Sequence, residues 1–374
     1  MKPLTLYGWP VSPYTAKTKA WLKGKGIPFT DRVPSYLFLH RVVRKNVGRI
    51  IMPTVRLPQG DWLQDSTEII DTLAALHPKP ALQPTTPRQR LVSLLLELYA
   101  DEWLPMVALH YRWNIEENAA FAINAFGAHG LPFLPTLIRR PLARRIAQKM
   151  KGYLPVLGVT EHTQPGVEGT ALALIPHLNE HLRGHRFLLG ERPCTADYAL
   201  YGPLYAHLYR DPGTTDLFSP YKEVSEWLLR LHEGKFDIGE YLAEDEVPAS
   251  LEPILQMVFE DQIPWIQTTL SHIENWCEKH PDATRVPRAL GTAPFSIRDL
   301  DGTRKIITEM QWKAQRPILF YQALQGKEKT TTTQWLTACG GENFTALTVA
   351  HPMIRKAHKP VLNTLGAHPS PAES

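Results

Sequence analysis

Residues 4–29 read LTLYGWPVSPYTAKTKAWLKGKGIPF, and this stretch decides how the chain begins to fold. LTLYG reads as a short strand, and Ser12–Pro13 then makes a helix start. The serine hydroxyl accepts from the first free helical N–H groups, and proline at the first position lacks an N–H that would have had no partner. A helix is expected over 13–25, and a second extended segment begins at Phe29. A hydroxyl at a helix N-terminus also favours a negative charge such as a thiolate. On these residues alone, the pattern is just that of a well-capped structural helix.

The alternation continues to residue 77. An irregular basic loop (His40, Arg41, Arg44, Lys45) precedes the strand MPTVRL. A turn at Pro58–Gln59–Gly60–Asp61 and a short strand WLQ lead to a helix over 66–76. Such an order predicts a small α/β sandwich. HPKPALQPTTPRQR (77–90) has four prolines and no apolar period, so it reads as a linker. From 91 to about 235 the pattern is helical, with helices over 91–114, over 195–209 and from Tyr221, and Pro105 is expected to kink the first. Beyond an acidic stretch (239–250) come a long helix over 251–279, a hairpin turning at Asp301–Gly302 and a helix over 312–325. The last ten residues read as unstructured, and no internal repeat is seen.

Composition narrows the class. With 374 residues, 43% hydrophobic and 21% charged, the chain has enough material for two or three compact soluble units. A formal charge of +4 is too small to argue for nucleic acid. Cys194, Cys277 and Cys339 lie far apart, so neither a disulfide framework nor a metal site is expected, and a reducing, cytoplasmic setting fits. The chain starts on a strand pattern rather than a signal peptide, and no run of about 18 apolar residues exists to span a membrane.

Two further segments could carry chemistry. Met52–Pro53 stands at the start of an interior strand, and Gln64–Asp65–Ser66–Thr67–Glu68 opens a helix. Asp65 with Glu68 makes a passable capping box, while Ser66 with the helix dipole could hold a carboxylate.

Taken together, LYGWPVSPY, KGIPF, MPTV and QDSTEIIDTL in this order resemble the thioredoxin-like N-terminal domain of glutathione transferases. FLLGERPCTADYALYGPLYAHL is similar to the segment opening a buried helix in their all-helical C-terminal domain. The resemblance covers roughly residues 1–240. It implies a glutathione-binding domain at 1–80 and an all-helical substrate domain at 91–240; the mostly helical segment with one hairpin at 245–365 is additional to the family pattern.

The resemblance also implies roles. Met52, before a cis Pro53, would offer its backbone to the cysteinyl part of glutathione, while Asp65 and Ser66 would hold the γ-glutamyl end. Arg41 or Lys45 would face the glycine carboxylate. Ser12 would stabilise the thiolate, and Tyr7 is the second candidate for that part. A hydrogen bond to a charged group contributes roughly 1.5–3 kcal/mol, which lowers a thiol pKa of about 8.5 by about one to two units. No metal is needed. The implied partners are a small apolar electrophile and a second copy of the chain.

Tyr99, Trp103, Met106 and His110 fall on one face of the helix after the linker, either as core or as a wall for that electrophile. Tyr198, Tyr201, Tyr205 and Tyr209 make a second stripe, more in keeping with core. Cys194 stands where the family has a Ser or Thr cap, which weakens that helix start. Arg139, Arg140, Arg144, Arg145, Lys149 and Lys151 line an amphipathic helix whose basic face is either simply solvated or drawn to anionic lipid. The rival to catalysis is a non-catalytic binding or scaffolding protein that kept the fold.

Overall fold

The computed structural model describes residues 3–363. Strand β1 (Leu4–Tyr7), helix α1 (Pro13–Gly24) and strand β2 (Phe29–Arg32) form a βαβ unit with the two strands parallel. The connection after β2, expected as an irregular loop, is helical. It runs through α2 (Tyr36–Phe38), a π turn at Leu39–Val43 and α3 (Arg44–Val47). Ser35 caps it, accepting the Phe38 N–H at 3.2 Å, and Leu39, Val43 and Val47 form its buried stripe. That four-residue spacing is helical, and the basic residues between mask it.

Strands β3 (Thr54–Arg56) and β4 (Trp62–Gln64) complete a sheet of order β2-β1-β3-β4, with β3 antiparallel to both neighbours. Helix α4 (Ser66–Leu76) packs on it beside α1. This is the thioredoxin-like arrangement.

Helix α5 (Pro87–Leu98) begins inside the expected linker, with Pro87 at its first position behind Thr86. It leads through a π turn at Tyr99–Trp103 into α6 (Leu104–Asn114). Pro105 supplies no N–H to the helical ladder, and the expected irregularity takes the form of that π turn. Helices α7 (Glu116–Gly130), α8 (Thr136–Lys151) and α9 (Gln164–Gly184) follow. Next come α10 (Thr195–Pro203), which continues in a π turn to Tyr209, and α11 (Lys222–Glu233). The weak thiol cap of α10 is offset by Asp197, three residues on. Its buried carboxylate accepts the Cys194 N–H at 2.8 Å, the Leu188 N–H at 3.1 Å and the Trp227 indole N–H at 3.0 Å.

The extra segment begins with α12 (Glu252–Met257), a π turn and α13 (Ile263–Lys279), which together realise the expected long helix. The hairpin of β5 (Ala289–Ile297) and β6 (Leu300–Ile307) turns at Arg298–Asp299, both at positive φ, and not at Asp301–Gly302. The Arg298 N–H is held by the Asp261 carboxylate at 3.0 Å. Gly302 is needed within the strand, because a Cβ there would come 2.7 Å from the Thr163 methyl. Helix α14 (Glu309–Ala323) starts three residues early, and α15 (Gly326–Ala338) and α16 (Glu342–Thr345) follow. A second, unexpected hairpin pairs β7 (Met353–Lys356) with β8 (Lys359–Leu362). The last ten residues, read as unstructured, lie outside the described residues.

One continuous apolar core joins the sheet, the helices and the extension as far as Leu347. Helix α5 is buried nearly all round because α10 covers one side and α14 the other. Beneath α14 lies a buried charge cluster. Lys17 on α1 meets Glu97 and Asp101 at 2.8 Å each, Lys313 meets Asp101 at 3.1 Å, and Arg316 meets Glu97 at 2.8 Å and Asp71 at 2.9 Å. Among the described residues, no helix is long and apolar enough to cross a membrane.

Candidate functional site

The register of the sheet brings the candidate segments to one edge. Tyr7 pairs with Thr54, and Thr54 pairs with Gln64, so these three lie in a row across β1, β3 and β4. The chain leaves Tyr7 toward Ser12, enters Thr54 from Met52–Pro53, and leaves Gln64 into Asp65–Ser66. Strand β2, parallel to β1, ends at the same edge and leads to the segment with Arg41 and Lys45.

Ser12 is half-buried and caps α1, its hydroxyl oxygen accepting the Thr15 N–H at 3.3 Å. Capping uses an oxygen lone pair and leaves the O–H free to donate. The loop before it is held from the helical domain: Arg112 donates to the Val11 carbonyl at 2.6 Å and is itself paired with Asp211 at 2.7 Å. Met52–Pro53 is cis, and the Met52 backbone N–H and C=O have no hydrogen-bond partner among the described residues. Ser66 and Thr54 are buried with hydroxyls that lack a partner among the described residues. Asp65 has φ 76°, caps α4 and accepts the Thr67 N–H at 2.9 Å.

The extension closes over this edge. Arg355 on β7 approaches Asp65 to 3.2 Å and Glu68 to 3.1 Å, and the His358 carbonyl accepts from Gln64 at 2.9 Å. Arg49 donates to Gln64 at 3.0 Å and to Glu309 at 2.9 Å. Burial pushes the Asp65 carboxyl upward, but Lys313 and Arg355 outweigh it and hold the group below its usual range.

Other sequence candidates lie elsewhere or stand apart. Tyr7 is stacked between Phe38 (centroids 4.9 Å apart) and Trp62 (5.3 Å) on the sheet. Arg41 and Lys45 are exposed and without an ion-pair partner among the described residues, while Arg49, not singled out by the sequence, makes the contacts. Tyr99 and Trp103, read either as core or as a wall for an electrophile, are wholly buried under the extension, and Trp103 meets Phe295 edge-on beneath the Arg304 guanidinium. His110 is buried against Glu168 at 2.9 Å, and desolvation holds its imidazole below the ordinary range despite that partner. These three form no face of an open cleft.

The open cavity beside α1 lies elsewhere. It measures about 280 Å³ and is lined by Pro10, Thr15, Lys19, Tyr201, Tyr205 and His232, among others. The tyrosine stripe of α10 is thus core at Tyr198 and cavity wall at Tyr201 and Tyr205. The residues missed by the sequence, Arg355, Lys313, Arg49 and His358, act across separations of up to about 300 positions, and no local pattern marks them.

A thioredoxin-like domain whose strand ends converge on a capped helix, followed by an all-helical domain, defines the class. Residues 6–81 match the family profile described as Glutathione S-transferase, N-terminal domain, and residues 150–233 that described as Glutathione S-transferase, C-terminal domain. These residues carry the two domains of the glutathione S-transferase fold, the thioredoxin-like one and the helical one. Similar solved structures include glutathione transferase GSTFuA3 from Phanerochaete chrysosporium, 18% identical, covering 64% of this chain and 100% of that one at a TM-score of 0.45.

 Beta-etherase LigF from Sphingobium sp. is 21% identical, covering 62% of this chain and 95% of that one at a TM-score of 0.41. A glutathione S-transferase from Methylobacterium radiotolerans, in complex with glutathione sulfonate, is 18% identical, covering 65% and 100% at 0.39. No curated protein sequence matches the chain.

Proposed function

We propose that this chain binds glutathione at the sheet edge and activates its thiol for attack on a small apolar electrophile. Support comes from the convergence of Ser12, Met52–Pro53 and Asp65–Ser66 at one end of the sheet, and that convergence carries the reading. The unpaired backbone groups of Met52 suit the cysteinyl part of a peptide, and the orphan hydroxyl of Ser66 suits a carboxylate. Ser12 donates its O–H to the thiolate while its oxygen keeps the helix cap. Orientation beside the electrophile supplies the rest of the rate. Asp65 takes the γ-glutamyl ammonium in place of the Arg355 guanidinium, so binding requires the β7–β8 hairpin to yield. Arg41 or Lys45 meets the glycine carboxylate. The setting is cytoplasmic, and a homodimer uses a face other than α5, which α14 covers.

One observation favours a second reading. Arg355 already neutralises Asp65, which suits a non-catalytic scaffold that kept the fold. Calorimetric titration with glutathione, together with turnover of an aryl halide, separates the two. Binding with turnover that falls in Ser12→Ala supports the enzyme. No heat at millimolar glutathione supports the scaffold.

A further inference from the structure

Helix α8 and the turn before it lie outside the glutathione site, and their surface is unlike the rest of the chain. Between Glu117 and Glu161 the sequence contains no acidic residue, yet it holds Arg139, Arg140, Arg144, Arg145, Lys149 and Lys151. None of the six has an ion-pair partner among the described residues. The helix is attached through Ala143 and Ala147, its buried positions, which face α7. Its other side is open: Leu137, Pro141, Arg144 and Gln148 make one exposed stripe, with Arg140, Arg145 and Lys149 beside it.

At the start of this basic helix, three apolar side chains project into solvent. Phe133 is 87% exposed, Leu137 90% and Ile138 54%. Isolated exposed apolar residues are ordinary, but three within six positions at one tip form a patch that calls for a partner. We infer that this tip and helix form a docking surface for an anionic lipid bilayer. Phe133, Leu137 and Ile138 enter the acyl boundary, and the arginines lie along the headgroups. Charge complementarity chooses this occupant, since six uncompensated cations need an anionic surface and the apolar tip needs a hydrocarbon one. Nucleic acid satisfies only the first need, and no aromatic side chain is interleaved among the cations of 139–151 to stack on bases.

The test is co-sedimentation of the full chain with vesicles of phosphatidylcholine alone or mixed with phosphatidylglycerol. Binding is expected only to the mixed vesicles, weakening as salt rises. The pair Phe133→Ser and Leu137→Ser should lower the partition coefficient about tenfold or more. Arg144→Gln with Arg145→Gln should lower it by a similar factor and flatten the salt dependence. All four side chains are exposed, so thermal unfolding of the variants should match the parent. No sedimentation with mixed vesicles at low salt overturns the inference. So does binding that both pairs of substitutions leave unchanged, or a DNA duplex that binds more tightly than the vesicles.

Discussion

The guanidinium of Arg355 stands 3.2 Å from the carboxylate of Asp65, so a residue near the far end of the chain neutralises the cap of α4. Both are largely buried, and Glu68 and Glu309 share the same guanidinium. Removing Arg355 therefore leaves three carboxylates short of a cation. Arg355→Ala should cost about 2–4 kcal/mol of stability by denaturant titration. On the proposed function it should also tighten glutathione binding about tenfold by calorimetry, because Asp65 then loses its ion-pair partner and only the more distant Lys313 still offsets its charge. Unchanged affinity would separate this contact from the peptide site.

Lys17 is almost completely buried between Glu97 and Asp101. Burial disfavours both carboxylates, but Lys17 and Lys313 outweigh it at Asp101 and bring its carboxyl from 3.8 down to about 2. A carboxyl lowered in the folded state adds stability above its unfolded value, and that stability is lost as pH falls through the folded one. The contribution is thus complete above about pH 4 and disappears toward pH 2. Lys17→Met should cost about 3–5 kcal/mol at neutral pH and flatten this acid limb in pH-dependent thermal unfolding.

Asp197 serves three buried donors at the start of α10. Asp197→Ala leaves the Leu188 and Cys194 N–H groups and the Trp227 indole without an acceptor. A loss of about 3–5 kcal/mol is expected, read as a shift in the urea midpoint.

His181 is buried on α9, with its Nδ1 2.8 Å from the Ser250 hydroxyl. Desolvation, with the neighbouring His185 adding to it, lowers its imidazole from 6.5 to about 4. An imidazole lowered in the folded state is most stable neutral, so the unfolded chain takes up a proton first as pH falls. Stability should drop by up to about 3 kcal/mol between pH 6.5 and pH 4. His181→Gln should show a shallower decline in thermal midpoint over that range.

The first domain was legible because its signals are local. Ser12–Pro13, Met52–Pro53 and Asp65–Ser66 each mark a strand or helix end, and strand order then brings them together. The segment over 36–47 was harder, because exposed basic residues separate Leu39, Val43 and Val47. The second hairpin carries no turn signature: Ala357 and His358 occupy positive φ, where glycine or asparagine would have announced the turn. The stripe of Tyr99 and Trp103 had a helical period that core and cleft share. Only the position of the extension decides between them, and that depends on contacts made some 200 residues away.

Helix α14 brings Lys313 and Arg316 onto acids of the family's two-domain body. Without those cations a single ammonium, Lys17, faces both Glu97 and Asp101, and Asp71 loses its guanidinium. The tail and the body are therefore bound by a shared charge balance. A shorter relative is expected to carry uncharged side chains at these places, or to draw replacement cations from elsewhere.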